Sequence, residues 1–128
     1  MRFRSDKVLR RGLGTGFSRH GYAVPQRLVN DVRGMTYHAL TATSRAVEGY
    51  LKQRALPDRL APLGKPLLVI FGAEDRRWRS SSAAEYRVVP GARVELLSDV
   101  GHSPMLEDPP RTAALLLAFT ALHAVRAS

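Results

Sequence analysis

The chain has 128 residues, no cysteine and a formal net charge of +9, with 45% hydrophobic and 24% charged residues. That length and balance fit one globular domain with a real core, and the missing cysteine removes disulfides, thiol nucleophiles and thiolate metal sites. No apolar run approaches the roughly 18 residues of a membrane span and no apolar segment follows Met1 as a secretory leader requires, so a cytoplasmic protein with no membrane partner is expected.

Residues 1–24 are polar, basic and Gly-rich and predict no regular element. Within them Gly12-Leu13-Gly14-Thr15-Gly16 has glycine where a nucleophile elbow needs serine. Phe17 stands where a dinucleotide fingerprint needs its third glycine, so a flexible loop is expected there. Pro25 is suited to open a helix, since its fixed φ and missing N–H fit a first turn. Leu28, Val29, Val32 and Met35 then recur at helical spacing, and a second helix is predicted over 36–54 with Leu40, Val47 and Leu51 on its apolar side. Residues 56–66 hold three prolines and a glycine and read as a connector.

Leu67 to Phe71 is apolar throughout, as expected of a strand covered on both faces. Residues 80–89 predict a short helix with a serine N-cap, Pro90-Gly91 breaks it, and 92–97 is a second strand. Pro109-Pro110 opens a last helix over 111–125, expected to bury Leu115, Leu116, Phe119 and Leu122. Strand, helix, strand, helix is a βαβα unit with two parallel strands.

The charge is mostly arginine, 17 residues against three lysines. The tight groups are Arg2 to Arg11 and Arg76, Arg77 and Arg79. No aromatic residues interleave with them as a stacking platform for bases would require, so nucleic acid is not the expected partner.

Two residues carry chemistry. Asp75 follows the first strand and His102 follows the second. An acid and a histidine at the ends of adjacent parallel strands are two thirds of a nucleophile–His–acid machine, in which the acid holds the imidazole's tautomer and the imidazole moves the nucleophile's proton. Glu74 is the competing carboxylate; Asp99 reads as a turn residue and Glu107 as a brace for the histidine loop. No serine meets the G-x-S-x-G elbow pattern, so no nucleophile is assigned. Ser80, Ser81 and Ser82 read as caps. His20, His38, His102 and His123 are too dispersed for a metal site, and no cofactor is expected. Trp78, beyond the acid, and Tyr37, in the second helix, are the candidate substrate-binding residues.

Gly72-x-x-Asp75 after its apolar run, and Gly101-His102-Ser103-Pro104 with Leu106-Glu107 and Pro109, resemble the acid turn and histidine loop of the α/β-hydrolase fold family. The resemblance implies an incomplete α/β-hydrolase fold: residues 1–59 as a helical cap-like segment, and 60–128 as the C-terminal part of the core. It implies a parent protein acting on an ester, lactone, epoxide or C–C bond. The elbow and the oxyanion-hole segments have no counterpart here, so the chain reads as truncated and inactive alone, with a small-molecule substrate only if the missing half completes it. The alternative is a non-catalytic remnant that binds a partner, or a second copy of itself, through the open edge of its sheet.

Overall fold

The computed structural model describes residues 5–124. Arg2 and Arg4 of the basic start, and Val125 at the expected end of the last helix, lie outside the described residues.

Residues 6–14 form a helix, α1 (Asp6–Gly14), rather than a featureless start. It packs against α2 (Gln26–Gly34). Leu9 and Val29 are buried, and Phe17 stacks on Tyr22 with ring centroids 4.7 Å apart. Polar side chains close the pair. Arg10 donates to the Val24 carbonyl at 2.6 Å and to Gln26, while Arg33 pairs with Asp6. Glycines at 12 and 14 weaken the helical pattern locally; packing against α2 supplies what propensity does not. Pro25 caps α2 from outside its first turn.

α3 (Tyr37–Gln53) matches the predicted helix. Thr36 caps it, its Oγ1 accepting from Ala39 N at 3.0 Å. The helix buries none of its residues. Gly49 lies in its interior, and a Cβ there would meet nothing within 4 Å. Gly49→Ala is therefore expected to stabilise the protein by about 1 kcal/mol, because alanine loses less backbone freedom in a helix. A urea midpoint that fails to rise would refute this. The expected connector is partly helical, as α4 (Leu56–Leu60) followed by a 3-10 turn over Ala61–Leu63. Pro57 and Pro62 sit in first turns, where no N–H is missed.

β1 (Leu68–Gly72) and β2 (Arg93–Leu97) pair in parallel, with Leu68 opposite Arg93 and Gly72 opposite Leu97. Their residues are mostly half-buried rather than enclosed on both faces. The segment between them is a 3-10 helix over Ser80–Val88. No serine side chain caps it; Arg79 occupies the capping position, a correction to the serine cap expected from sequence. α5 (Pro104–Glu107) is a single turn, and α6 (Pro109–Ala124) ends the described chain.

The expected buried face of α6 is also corrected. Leu116 and Leu122 are exposed, and Thr112 is its buried residue. The physical reason is width. Two strands about 4.8 Å apart give too narrow a floor for a 16-residue helix. Leu117, Leu96 and Val88 stay exposed as well.

Candidate active site

β1 ends at Gly72 and the chain turns at once. Ala73 N donates to Leu97 O at 2.8 Å, and Glu74 N donates to Val100 O at 2.9 Å. These bonds lash the turn after β1 to the end of β2 and to the loop that follows it. Gly72 is what permits the closeness. A Cβ there would stand 1.9 Å from Gly101 O and 2.4 Å from Val100 O.

The lashing brings Asp75 and His102 together. His102 Nδ1 lies 2.9 Å from Asp75 Oδ2. The other carboxylate oxygen, Oδ1, accepts from Arg77 N at 2.7 Å and Trp78 N at 3.1 Å. Asp75 is thus both a turn aspartate and the histidine's partner, one oxygen for each role. Its side chain is 3% exposed and that of His102 is 34% exposed. Burial pushes the Asp75 carboxyl up, but hydrogen bonds from His102, Trp78 and Arg77 outweigh it and hold the group below the ordinary carboxylate value. An ionised Asp75 accepts a hydrogen bond from Nδ1–H. Nε2 is then the basic nitrogen, free of that bond.

A cavity of about 420 Å³ opens beside the pair, within the range that takes small organic ligands. Leu51, Leu56, Phe71, Trp78, Tyr86 and Pro104 make much of its wall. Trp78 lines it while keeping 49% of its surface exposed. Tyr37 does not line it: it begins α3 and is 62% exposed. Seventeen helical residues span roughly 24 Å, and the C-terminal end of α3, at Leu51, is the end that reaches the cavity. Sequence reasoning missed Tyr86. Burial, and then the neighbouring Glu85, raise its phenol pKa, so it remains a hydrogen-bond donor at neutral pH. Ser82 also lines the cavity, on the 3-10 helix rather than at a strand-to-helix elbow.

The competing carboxylates are elsewhere. Asp99 adopts a left-handed φ of 58° in the turn after β2, and Glu74 lines a polar depression with Ser18, Arg19 and Asp99. Arg76 and Arg77 are turned away from the cavity. Arg76 donates to Gly14 O and Arg77 to Gly12 O at the C-terminal end of α1, where cations suit the helix dipole, and Arg76 also donates to Phe17 O, beyond the helix, at 2.5 Å. Among the described residues no group of three or more His, Asp or Glu side chains is arranged to hold a metal, and no helix is long and apolar enough to cross a membrane.

Residues 2–115 match the model of the α/β hydrolase family. The chain belongs to that family. Solved structures of α/β hydrolases superpose on most of it. It resembles a bacterial membrane phospholipase A described as a virulence factor, with 26% identity, a TM-score of 0.68, and 98% of this chain against 40% of that one. It resembles a serine hydrolase involved in carbazole degradation, the CarC enzyme, at 17% identity and a TM-score of 0.72, over 92% of this chain and 48% of that one. A third likeness is to a lipase-like protein of Acinetobacter baumannii AYE, at 21% identity and a TM-score of 0.61, over 88% and 42%. The chain therefore spans less than half the length of each of these three proteins. No curated protein sequence matches it significantly.

Proposed function

We propose that this chain carries the acid and the histidine of a nucleophile–His–acid hydrolase. Asp75 orients His102 and stabilises its charged form, and His102 Nε2 takes the proton of a nucleophile and returns it to the leaving group. The observation that carries this reading is the 2.9 Å contact of Nδ1 with Asp75 Oδ2 at the edge of a cavity. The apolar wall favours a small organic substrate with an ester, lactone, epoxide or C–C bond to cleave, and Tyr86, which lines the cavity, is a candidate hydrogen-bond donor to it. Trp78 serves as a substrate-contacting wall.

No serine in these 128 residues has the elbow sequence. In this reading the nucleophile and the oxyanion donors come from polypeptide outside them, in a cytoplasmic protein. Losing one oxyanion donor alone costs about 2.7 to 4 kcal/mol of transition-state stabilisation. The isolated chain is therefore expected to cleave an activated nitrophenyl ester no faster than free imidazole, and to take no label from a fluorophosphonate. A label on a mapped serine that vanishes in His102→Ala would overturn the inactivity and locate a nucleophile within the chain.

The acid–histidine reading has its own test. In a nitrogen-15 spectrum of the imidazoles at neutral pH, His102 is expected to carry its proton on Nδ1. A proton on Nε2 would refute the assignment of Asp75 as its orienter.

A second reading rests on the sheet. Among the described residues β1 and β2 pair only with each other, and Leu96, Leu116 and Leu117 are exposed. Such an edge can recruit another strand. Self-association through it predicts a dimer in sedimentation velocity that dissociates when Leu96 becomes lysine; a monomer at all concentrations would remove this reading.

A further inference from the structure

Glu107 is 2% exposed. No arginine or lysine pairs with its carboxylate among the described residues. Backbone N–H groups hold it instead. Oε1 accepts from Ser18 N at 2.6 Å and Arg19 N at 2.8 Å. Oε2 accepts from Gly101 N at 3.0 Å and Ser103 N at 3.3 Å. The second pair brackets His102 on both sides; the first pair lies nearly ninety residues earlier in the chain. Charge-assisted bonds of this kind are the strong ones, and a buried carboxylate needs such donors to replace water.

The approach of the two segments is built in. A Cβ on Gly101 would stand 2.7 Å from both Ser18 N and Ser18 Oγ. The same short strap also holds the acid side of the site. Ser18 Oγ donates to Glu74 O at 2.6 Å, and Arg76 donates to Phe17 O at 2.5 Å. Arg19 donates to the Glu107 carbonyl.

We infer that Glu107 is a positioning residue: its two oxygens clamp the strap Ser18–Arg19 to the loop Gly101–Ser103 and thereby hold His102 at hydrogen-bond distance from Asp75. This rests on reading Asp75 and His102 as an acid–base pair. Glu107 does not line the cavity, and its carboxylate bonds the backbone on either side of the imidazole rather than the ring. Because each oxygen serves one segment, Glu107→Gln keeps the shape but leaves only one segment with an acceptor.

The test is the solvent exchange rate of the His102 Nδ1 proton in the intact chain. Loss of the clamp is expected to speed it about tenfold, comparable to losing one charge-assisted bond. Gly101→Ala, which pushes the strap away while leaving Glu107 in place, is expected to do the same. Val29→Ala, on the far helix α2, is the control for general loosening, compared at equal loss of stability. If the wild type shows no Nδ1 proton on His102, the acid–base reading fails and takes this inference with it. If the proton is present and Glu107→Gln changes its exchange by less than about twofold, the clamp is overturned and the acid–base reading stands. An equal acceleration in Val29→Ala also overturns the clamp. Should Glu107→Gln not fold, amide exchange in the wild type decides. A shared opening rate for Ser18, Arg19, Gly101 and Ser103, matching the ring proton, supports the clamp; unrelated rates overturn it.

Discussion

Gly72→Ala is expected to destabilise the protein by about 3 kcal/mol or more, at the upper end of what inserting one methyl into a packed site costs. For a domain of this size that is a fall in melting temperature of roughly 10 °C. The cause is steric and specific. The new Cβ would lie 1.9 Å from Gly101 O, with Val100 O at 2.4 Å and Gly101 C at 2.7 Å. All three are backbone atoms, so no rotamer change relieves the overlap. The loop carrying His102 has to move outward, and the bond from Glu74 N to Val100 O goes with it. Both effects should appear together: a lower melting temperature by circular dichroism, and loss of the protected Nδ1 proton of His102. A variant that melts within about 1 °C of wild type would mean that the loop accommodates a side chain freely, against the packing argument. Gly49→Ala, with open space around its Cβ, is the matched contrast of opposite sign.

Asp75→Asn is expected to reverse the tautomer of His102 and to make the protein's stability less sensitive to acid. An asparagine still accepts from Arg77 and Trp78 N–H through its oxygen. Its amide, however, donates toward Nδ1, which must then accept, so the ring proton moves to Nε2 and the nitrogen needed for proton transfer is blocked. The sign of the pH effect follows from the direction of the shift. Asp75 sits below its ordinary value of 3.8 in the folded protein. Its contribution is complete above the unfolded value and is lost as pH falls through the lower folded value. Wild type should therefore exceed Asp75→Asn by about 2 kcal/mol at neutral pH, the scale of a hydrogen bond to a charged group, and the gap should close as the pH is taken well below 3.8. Urea denaturation across that series checks it. A gap that stays constant with pH would show that the loss is one of packing rather than of the ionised pair.

The two halves of the acid–histidine pair were legible because each announces itself locally. An apolar run followed at once by Gly-x-x-Asp, and another followed by Gly-His-Ser-Pro, place polar groups just past strand ends, and strands are read from runs and breakers. α2 and α3 were legible from apolar spacing alone. α1 was not, because its glycines and arginines mask a helix whose support comes from α2 and from clamps such as Arg10 on Val24 O. Arg76 and Arg77 looked like a basic patch; only their nearness to α1 in space shows them donating to its last carbonyls.

By itself the sequence determined α2, α3, the two strands and the last helix, the family resemblance, and the placing of Asp75 and His102 just past the strand ends, since these depend on short-range pattern and spacing; the helical turns within residues 56–63 and α5 came only with the fold. Tertiary structure alone decided the rest. It put 2.9 Å between Nδ1 and Oδ2, chose Tyr86 over Tyr37 for the cavity wall, left Leu116 and Leu122 uncovered, and brought Ser18 and Arg19 to Glu107. Each of these is a contact between residues far apart along the chain. Sequence pattern reports which face of an element is apolar; it does not report how far that element is from another one, and distance is what hydrogen bonds, cavities and steric overlap depend on.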